Sequence, residues 1–192
     1  MTHLLILRHG PTEWNALKRL QGRSDIPLSE AGRQEVRCWR LPAEFADYAW
    51  VSSPLLRAVQ TAKLMGADPL ITPALTEMSW GDWEGLIWQD LLAASDPVLD
   101  ANRARGLDFR PANGESPRDV QNRLASWIAT REKPTIAVTH KGVLQALYAL
   151  ATGWQMTNKS PVKIQDGCAH LFDVSGLCCK VLRMNITLKG EG

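Results

Sequence analysis

Strand-like and helix-like segments alternate along most of this chain, and that alternation is the feature that most limits its fold. Residues 4–7 and 135–139 are brief apolar runs, typical of strands buried on both faces, and residues 50–53 resemble a further strand. A helix-like pattern follows each of them. The alternation predicts an α/β fold, a three-layer α/β/α sandwich with a mostly parallel mixed sheet. At 192 residues we expect one domain over residues 1–192.

Turn and cap residues set the boundaries of the other predicted elements. Ser29 caps a helix predicted over residues 29–45, with an interruption near Pro42. Residues 168–174 and 178–185 flank a Ser-Gly turn, which predicts an antiparallel hairpin at the sheet edge. The remaining predicted segments are helices over 54–65, 116–131 and 142–151, a short extended piece over 70–75, and a loop or mobile flap over 96–115.

The composition favours a cytoplasmic protein without a nucleic-acid or membrane partner. Apolar residues make up 45% of the chain, charged residues 22%, and the net charge is only +2. The first apolar run is too short for a signal peptide, and no stretch approaches the roughly 18 apolar residues of a membrane helix. The cysteines have neither zinc-type nor redox-type spacing, so we expect reduced thiols and no metal: Cys38, Cys168, Cys178 and Cys179.

Reactive side chains follow three of the predicted strands. Arg8 and His9 end the first strand, Arg57 lies one helical turn beyond the second, and His140 ends the strand over 135–139. Ligands of an open α/β sheet bind beyond the carboxyl ends of its strands. Two of only four histidines are therefore expected at the same edge of the sheet.

A histidine at such an edge can be a nucleophile, a general base or a metal ligand. No cysteine or further histidine is spaced to complete a metal site, and Arg8 beside His9 would repel a cation. An arginine fork instead matches the oxygens of a phosphate group. The residues therefore favour phosphoryl transfer through a histidine, with arginines balancing the negative charge.

Five ordered blocks over about residues 2–150 resemble the histidine phosphatase (phosphoglycerate mutase-like) superfamily, and its compact phosphatase-type branch in particular. These blocks are residues 5–15 (LILRHGPTEWN), 21–32 (QGRSDIPLSEAG), 52–62 (SSPLLRAVQTA), 75–85 (LTEMSWGDWEG), and 114–116 with 138–140 (GES and VTH). A short Arg-His-Gly motif alone would be weak, whereas five blocks in order are specific.

The resemblance implies a phosphatase that needs no metal or organic cofactor. His9 would become phosphohistidine, and Glu77 would protonate the leaving alkoxide and then activate water. The implied phosphate-pocket residues are Arg8, Arg57 and His140, with Asn15 as a further donor. Thr12 and Gly22 are implied as weaker loop contacts. Glu84 lies near Glu77 in the same block, so position alone offers a second glutamate for the general acid.

The chain departs from the family pattern after the second histidine. Many members have His-Gly-Gly there, whereas this chain has His140-Lys141-Gly142. Lys141 still supplies a backbone N–H for the phosphate, and its side chain either adds charge at the pocket rim or points to solvent. We count it among the predicted substrate-binding residues.

Two alternatives to a phosphatase stay open at this stage, and so does the identity of the substrate. A mutase would keep its phosphoenzyme from water with longer covering segments, so the compact chain favours a phosphatase on a small phosphorylated metabolite. A non-catalytic module that binds phosphorylated ligands is the alternative from another class. Sugar phosphates, nucleotide-pathway monoesters and ribazole phosphate are all open as substrates, and the oligomeric state is not predicted.

Overall fold

The computed structural model describes residues 2–94 and 96–188, and its six strands form one sheet. The strands are β1 (Thr2–Arg8), β2 (Ala49–Ser52), β3 (Leu70–Ile71), β4 (Thr135–Thr139), β5 (Cys168–Ser175) and β6 (Cys178–Thr187). Their order across the sheet is β3-β2-β4-β1-β5-β6. β1, β2, β3 and β4 run parallel, whereas β5 pairs antiparallel with β1, and β6 with β5. The predicted mixed sheet and its terminal hairpin are confirmed.

Helices cover both faces of this sheet. They are α1 (Glu13–Ala16), α2 (Glu30–Arg37), α3 (Leu56–Leu64), α4 (Trp88–Ala93), α5 (Pro97–Arg103), α6 (Pro117–Ile128) and α7 (Lys141–Thr152). Successive β1 side chains point to opposite faces, as in any strand. Leu4 and Ile6 pack in a core with α6 and α7, and Leu5 and Leu7 in a second core with α2 and α3. The structure is therefore the predicted three-layer α/β/α sandwich.

The predicted helix over residues 29–45 is wrong beyond Arg37. Ser29 does cap α2, through Oγ, which accepts the Gly32 N–H, but the helix ends at Arg37 with Cys38 as its cap. A separate 3₁₀ turn, Ala43–Phe45, follows Pro42. Proline disfavours helical geometry in the residue before it and lacks an N–H, so the chain restarts there instead of continuing.

The segment predicted as a loop over residues 96–115 contains regular structure. Asp96 caps α5 by accepting the Val98 N–H, Pro97 occupies the first helical position, and Gly106–Asp108 form a 3₁₀ turn. α4 precedes it in the Trp-rich segment. α5 is short and buries only Leu99, so apolar periodicity does not indicate it.

Smaller differences concern the boundaries of several elements, among them α3 and β3. α3 begins at Leu56, two residues after the predicted start, and its first N–H donates to Asp25 Oδ1 (2.7 Å). The predicted extended piece over 70–75 is strand only at Leu70–Ile71, and a 3₁₀ turn follows it over Pro73–Leu75. Within the described ranges, no helix is long and apolar enough to cross a membrane.

Candidate active site

The carboxyl ends of three parallel strands bring the two predicted histidines together. His9 directly follows β1, and its N–H continues the ladder by donating to the Thr139 carbonyl (2.9 Å). His140 directly follows β4, and Ser53, after β2, donates its N–H to the Val138 carbonyl (3.0 Å). The imidazole centroids of His9 and His140 lie 5.1 Å apart. This sheet edge is therefore a candidate active site.

One ring nitrogen of His9 forms a hydrogen bond, and the other keeps its lone pair for a ligand. Its Nδ1 donates to the Gly10 carbonyl (2.7 Å), and because a carbonyl only accepts, Nδ1 carries the proton of the neutral ring. The lone pair then lies on Nε2. Burial, with the charges of Arg8 and Arg57, holds the pKa of His9 well below its ordinary value. The imidazole, 6% exposed, is therefore neutral at physiological pH and nucleophilic at Nε2.

Arg57 is fully buried and held by three acceptors. Its Nε donates to His140 Nδ1 (3.2 Å), and its Nη1 and Nη2 donate to the Ser24 and Gly22 carbonyls (2.8 and 2.7 Å). His140 Nε2 therefore carries the proton of the neutral ring and donates to Ser53 Oγ (2.8 Å). Both ring nitrogens of His140 are bonded within the protein, so this side chain fixes Arg57 in place.

The electrostatics of His140 follow from this packing. Burial, and then the neighbouring His9 and Arg57, hold its pKa well below the ordinary value. A neutral His140 can accept from Arg57 while donating at Nε2. To donate to a phosphate oxygen, as the sequence predicts, Nε2 would exchange Ser53 Oγ for that oxygen.

A loop anchored by Glu84 presents the carbonyls that hold Arg57. Glu84 accepts the N–H groups of Arg23 and Ser24 (2.8 Å each) and the Ser24 hydroxyl (2.6 Å). Gly22 has φ +52°, and a Cβ there would lie 2.1 Å from Glu84 Oε1. Gly22 is a predicted loop contact. Its carbonyl accepts from Arg57, and its lack of a side chain leaves room for Glu84. Glu84 is a positioning residue that the sequence patterns do not identify as one.

Arg8 faces a cavity of about 70 Å³ together with His9 and Asn15. Its Nη1 donates to Asp166 Oδ1 (2.6 Å), an exposed carboxylate outside the five sequence blocks. Its Nε is buried and has no hydrogen-bond partner within residues 2–94 and 96–188. An unpaired buried donor is unfavourable by itself, so this N–H is suited to an anionic oxygen. Asp166 and Glu35 also line the cavity.

Asn15 and Thr12 form a capping box at the start of α1. Asn15 Oδ1 accepts the Thr12 N–H and hydroxyl (3.0 Å each), and Thr12 Oγ1 accepts the Asn15 N–H (3.2 Å). The box uses the amide oxygen of Asn15, which leaves its amide nitrogen as the donor for a ligand. Thr12 is buried and orients Asn15; it does not line the small cavity.

Glu77 lies in a buried position between two backbone donors. Its Oε1 accepts the Met78 N–H (2.9 Å), and its Oε2 accepts the Gly142 N–H in the first turn of α7 (3.2 Å). Burial raises the pKa of this carboxyl, although the two hydrogen bonds and the charges of Arg57 and Arg8 oppose that change. Glu77, 8% exposed, is thereby suited to carrying a proton for catalysis.

Two further residues hold the segment around Glu77. Arg123 donates to the Ala74 carbonyl and to the Thr76 carbonyl (2.5 Å), just before Glu77. Glu115 accepts the Ser79 N–H (3.0 Å), just after it. The Lys141 side chain, in contrast, is exposed at the first position of α7, and no described hydrogen bond joins it to the other site residues. Among the described residues, no cluster of three or more His, Cys, Asp or Glu side chains could hold a metal ion.

Comparisons with known proteins find several relatives of this chain. The sequence profile of the histidine phosphatase superfamily (branch 1) matches residues 4–187. A glucosyl-3-phosphoglycerate phosphatase of Mycolicibacterium vanbaalenii is 33% identical over 172 residues, 81% of this chain and 76% of that protein. A metal-independent phosphoserine phosphatase of Arabidopsis thaliana is 32% identical over 165 residues, covering 79% and 69%. The crystal structure of a phosphoglycerate mutase from Thermus thermophilus superposes with a TM-score of 0.77 at 31% identity, covering 96% and 98%.

Proposed function

Because this chain belongs to the histidine phosphatase superfamily, we propose that it hydrolyses a small phosphate monoester through a phosphohistidine formed at His9. The observation that carries this proposal is the position of the proton on the neutral His9 ring. Nδ1–H is committed to the Gly10 carbonyl, so the Nε2 lone pair is available to attack phosphorus. The relatives named above support a small phosphorylated metabolite as the substrate.

In the proposed first step, His9 Nε2 forms a bond to phosphorus as the bond from phosphorus to the ester oxygen breaks. The Arg8 and Arg57 guanidinium groups balance the charge of the equatorial oxygens, and the Asn15 amide donates to one of them. Glu77 gives its proton to the departing alkoxide. The arginines supply the positive charge, so the chemistry needs no metal ion.

In the proposed second step, water hydrolyses the phosphoenzyme. The Glu77 carboxylate accepts a proton from the water molecule, whose oxygen attacks phosphorus while the bond to His9 Nε2 breaks. Inorganic phosphate leaves, and Glu77 is again protonated for the next cycle. One carboxyl therefore serves as acid and then as base, which suits a group whose pKa burial has raised.

Trapping the intermediate tests this route directly. Wild type mixed with ³²P-labelled substrate and quenched in alkali should carry one label per chain, which mild acid releases because the phosphorus–nitrogen bond is acid-labile. A matched quench of His9→Ala should carry none. A label that survives acid, or that remains in the variant, would place the phosphate on another residue.

A mutase is the second candidate function, because one structural neighbour is a phosphoglycerate mutase. The deciding experiment measures inorganic phosphate release and conversion of 3- to 2-phosphoglycerate on the same sample. We expect hydrolysis to dominate, because the segment that could cover the site amounts to α4, α5 and one 3₁₀ turn. Efficient isomerisation with little free phosphate would reverse this choice.

Gly142 sets the position of the general acid, which leads to a prediction for Gly142→Ala. A Cβ at this position would lie 2.6 Å from Glu77 Oε1, so the flexible carboxyl must move away. We expect kcat on alkyl phosphates to fall about ten- to a hundredfold, as misplacement by about 1 Å commonly does. The thermal midpoint should not fall, because Ala is the better helix former.

Gly66→Ala is the matched control for that prediction. Gly66 has φ +88°, and no atom lies within 4 Å of the position that a Cβ would take. The change should therefore destabilise the fold by about 1 kcal/mol through its backbone conformation alone and spare activity. The two variants should thus show opposite patterns in activity assays and thermal melts. Full activity of Gly142→Ala would mean that the hydrogen bond from Gly142 to Glu77 has no catalytic role.

We also propose a cytoplasmic location. The thiols of Cys38, Cys178 and Cys179 are free, which is typical of a reducing compartment. Fractionation of cells that express the tagged chain would test it.

A further inference from the structure

A cleft of about 650 Å³ adjoins the general acid. Met78 and Gly142 belong to its lining, and the N–H groups of these two residues hold the Glu77 carboxyl. Under the proposed function, Glu77 protonates the oxygen of the leaving group. The rest of the leaving alcohol must then extend from that oxygen, and this cleft offers a large space beside the residues that hold the carboxyl.

One wall of the cleft is an aromatic cluster. Trp80, Trp88 and Phe109 contact one another with ring centroids 5.7, 5.9 and 6.2 Å apart. Phe109 is buried, but both indoles keep part of their surface open, and all three line the cleft. Ring surface left open inside a pocket favours a flat apolar ligand, because stacking adds to the free energy of apolar burial.

A second wall comes from the segment that follows α7. Trp154 and Met156 line the cleft there, and the Trp154 Nε1–H is already used by Asn158 Oδ1 (2.9 Å). The indole therefore offers its carbon surface. The two walls are tied together at Gly106 and Gln155, because the Leu107 N–H donates to the Gln155 carbonyl (2.9 Å) and a Cβ on Gly106 would lie 2.1 Å from that oxygen.

The charges in the cleft argue against a small acidic leaving group. Its lining includes two cations, Arg103 and Lys159. Arg103 is paired with Asp100 (3.1 Å) and lies 5.9 Å from the centre of the Trp88 ring. Lys159 is exposed at the rim. A carboxylate in this cleft would thus compete with Asp100 for Arg103, whereas an apolar ring would be buried against the aromatic wall.

We propose that the substrate is a phosphate monoester whose leaving alcohol carries a planar aromatic ring, bound between the Trp80–Trp88–Phe109 wall and the Trp154 wall. This inference rests on the proposed function, because it takes the leaving group to lie beside Glu77. It adds the substrate class, which the relatives' names do not give for this chain.

The test compares esters of similar intrinsic reactivity. 2-(1-Naphthyl)ethyl phosphate and ethyl phosphate both release an alkoxide of a primary alcohol, so a difference in kcat/KM reports binding of the ring. Burial of a naphthyl ring should favour the first ester by about ten- to a hundredfold. Octyl phosphate is a flexible apolar control and should be hydrolysed several-fold less efficiently than the naphthyl ester.

Variants on both walls connect that preference to the cleft. Trp88→Leu and Trp154→Leu should each reduce the preference for the naphthyl ester, as the ratio of its kcat/KM to that of ethyl phosphate, about five- to tenfold. Thermal melts show whether each variant is folded. Trp127→Leu is the matched control: this half-buried indole lies under Arg131 outside the cleft and should affect neither ester.

The outcomes separate this inference from the proposed function. Hydrolysis of ethyl phosphate without a preference for the naphthyl ester, or with octyl phosphate hydrolysed equally well, overturns the aromatic class and leaves the phosphatase proposal intact. A preference that survives both wall variants overturns the assignment to the cleft. Failure to hydrolyse any of the three esters counts against the phosphatase itself.

Discussion

His9→Ala should abolish turnover of p-nitrophenyl phosphate and of ethyl phosphate, with kcat reduced by about 10⁴-fold or more. The reason is that no other described side chain in the site combines an available lone pair with this position. The nitrogens of His140 are both engaged, by Arg57 and Ser53. The variant retains Arg8 and Arg57, so it should still bind inorganic phosphate. Phosphate release and isothermal titration with inorganic phosphate measure the two properties.

The control for this variant is His3→Ala. His3 is exposed near the other end of β1, where its Nδ1 is hydrogen-bonded to the Tyr48 hydroxyl (2.8 Å), and its loss should not change kcat. Two results would contradict our view. Retained turnover by His9→Ala would require another nucleophile. If wild type and variant both fail to hydrolyse a broad panel of esters but still bind phosphate compounds, the protein is a binding module without catalysis.

Glu77→Gln should show the second largest loss, and that loss should depend on the leaving group. Hydrolysis of ethyl phosphate should fall about 10²- to 10⁴-fold, because an alkoxide needs the proton that Gln cannot give. p-Nitrophenolate leaves without protonation, so formation of the phosphoenzyme from that ester should change little, and the loss should be confined to the hydrolysis step. Burst-phase kinetics with p-nitrophenyl phosphate separate the two steps.

The pH dependence gives the same assignment an independent check. Glu77 must be protonated to act as the acid, so kcat for ethyl phosphate should fall as pH rises through its raised pKa. His9 must be neutral to attack, so kcat should also fall at acid pH. Because the pKa of His9 is lowered, this fall should occur at a lower pH than for an ordinary histidine. In the pH profile of the residual kcat of Glu77→Gln, the fall at alkaline pH should be missing, whereas the fall at acid pH should remain.

Glu84 offers the matched comparison, since it is the other glutamate in the same sequence block. Glu84 anchors the loop that holds Arg57, so Glu84→Gln should affect alkyl and aryl esters to the same extent. If instead Glu84→Gln shows the dependence on the leaving group and Glu77→Gln does not, the general acid has been assigned to the wrong residue.

Local patterns predict the parts of this molecule that depend on neighbours in sequence. Brief apolar runs identify β1 and β4, and the rule for strand ends places His9 and His140 at one edge. Helices with weak apolar periodicity, such as α5, are not predicted by local sequence patterns. The end of α2 is predicted too late because a proline near a helix end can produce either a kink or a stop, and here the helix stops before it.

Contacts between distant segments explain what the sequence does not reveal about the site. Asp166 lies 158 positions from its partner Arg8, and Glu84 is about 60 positions from the backbone it anchors. Polar surface residues such as these have no periodic signature, so only the folded geometry shows their partners. The same holds for Trp80 and Trp154, which line one cleft although they lie far apart in the sequence.

The start of α7 shows how much variation this motif tolerates. His140 turns inward to Arg57, Gly142 lies against Glu77, and the residue between them points its side chain away. The middle position therefore accommodates lysine in this chain, while His140 and Gly142 are held by their contacts with Arg57 and Glu77 in the candidate active site. Searches for related enzymes should accordingly give more weight to a glycine at the second position after this histidine than to the residue at the first position.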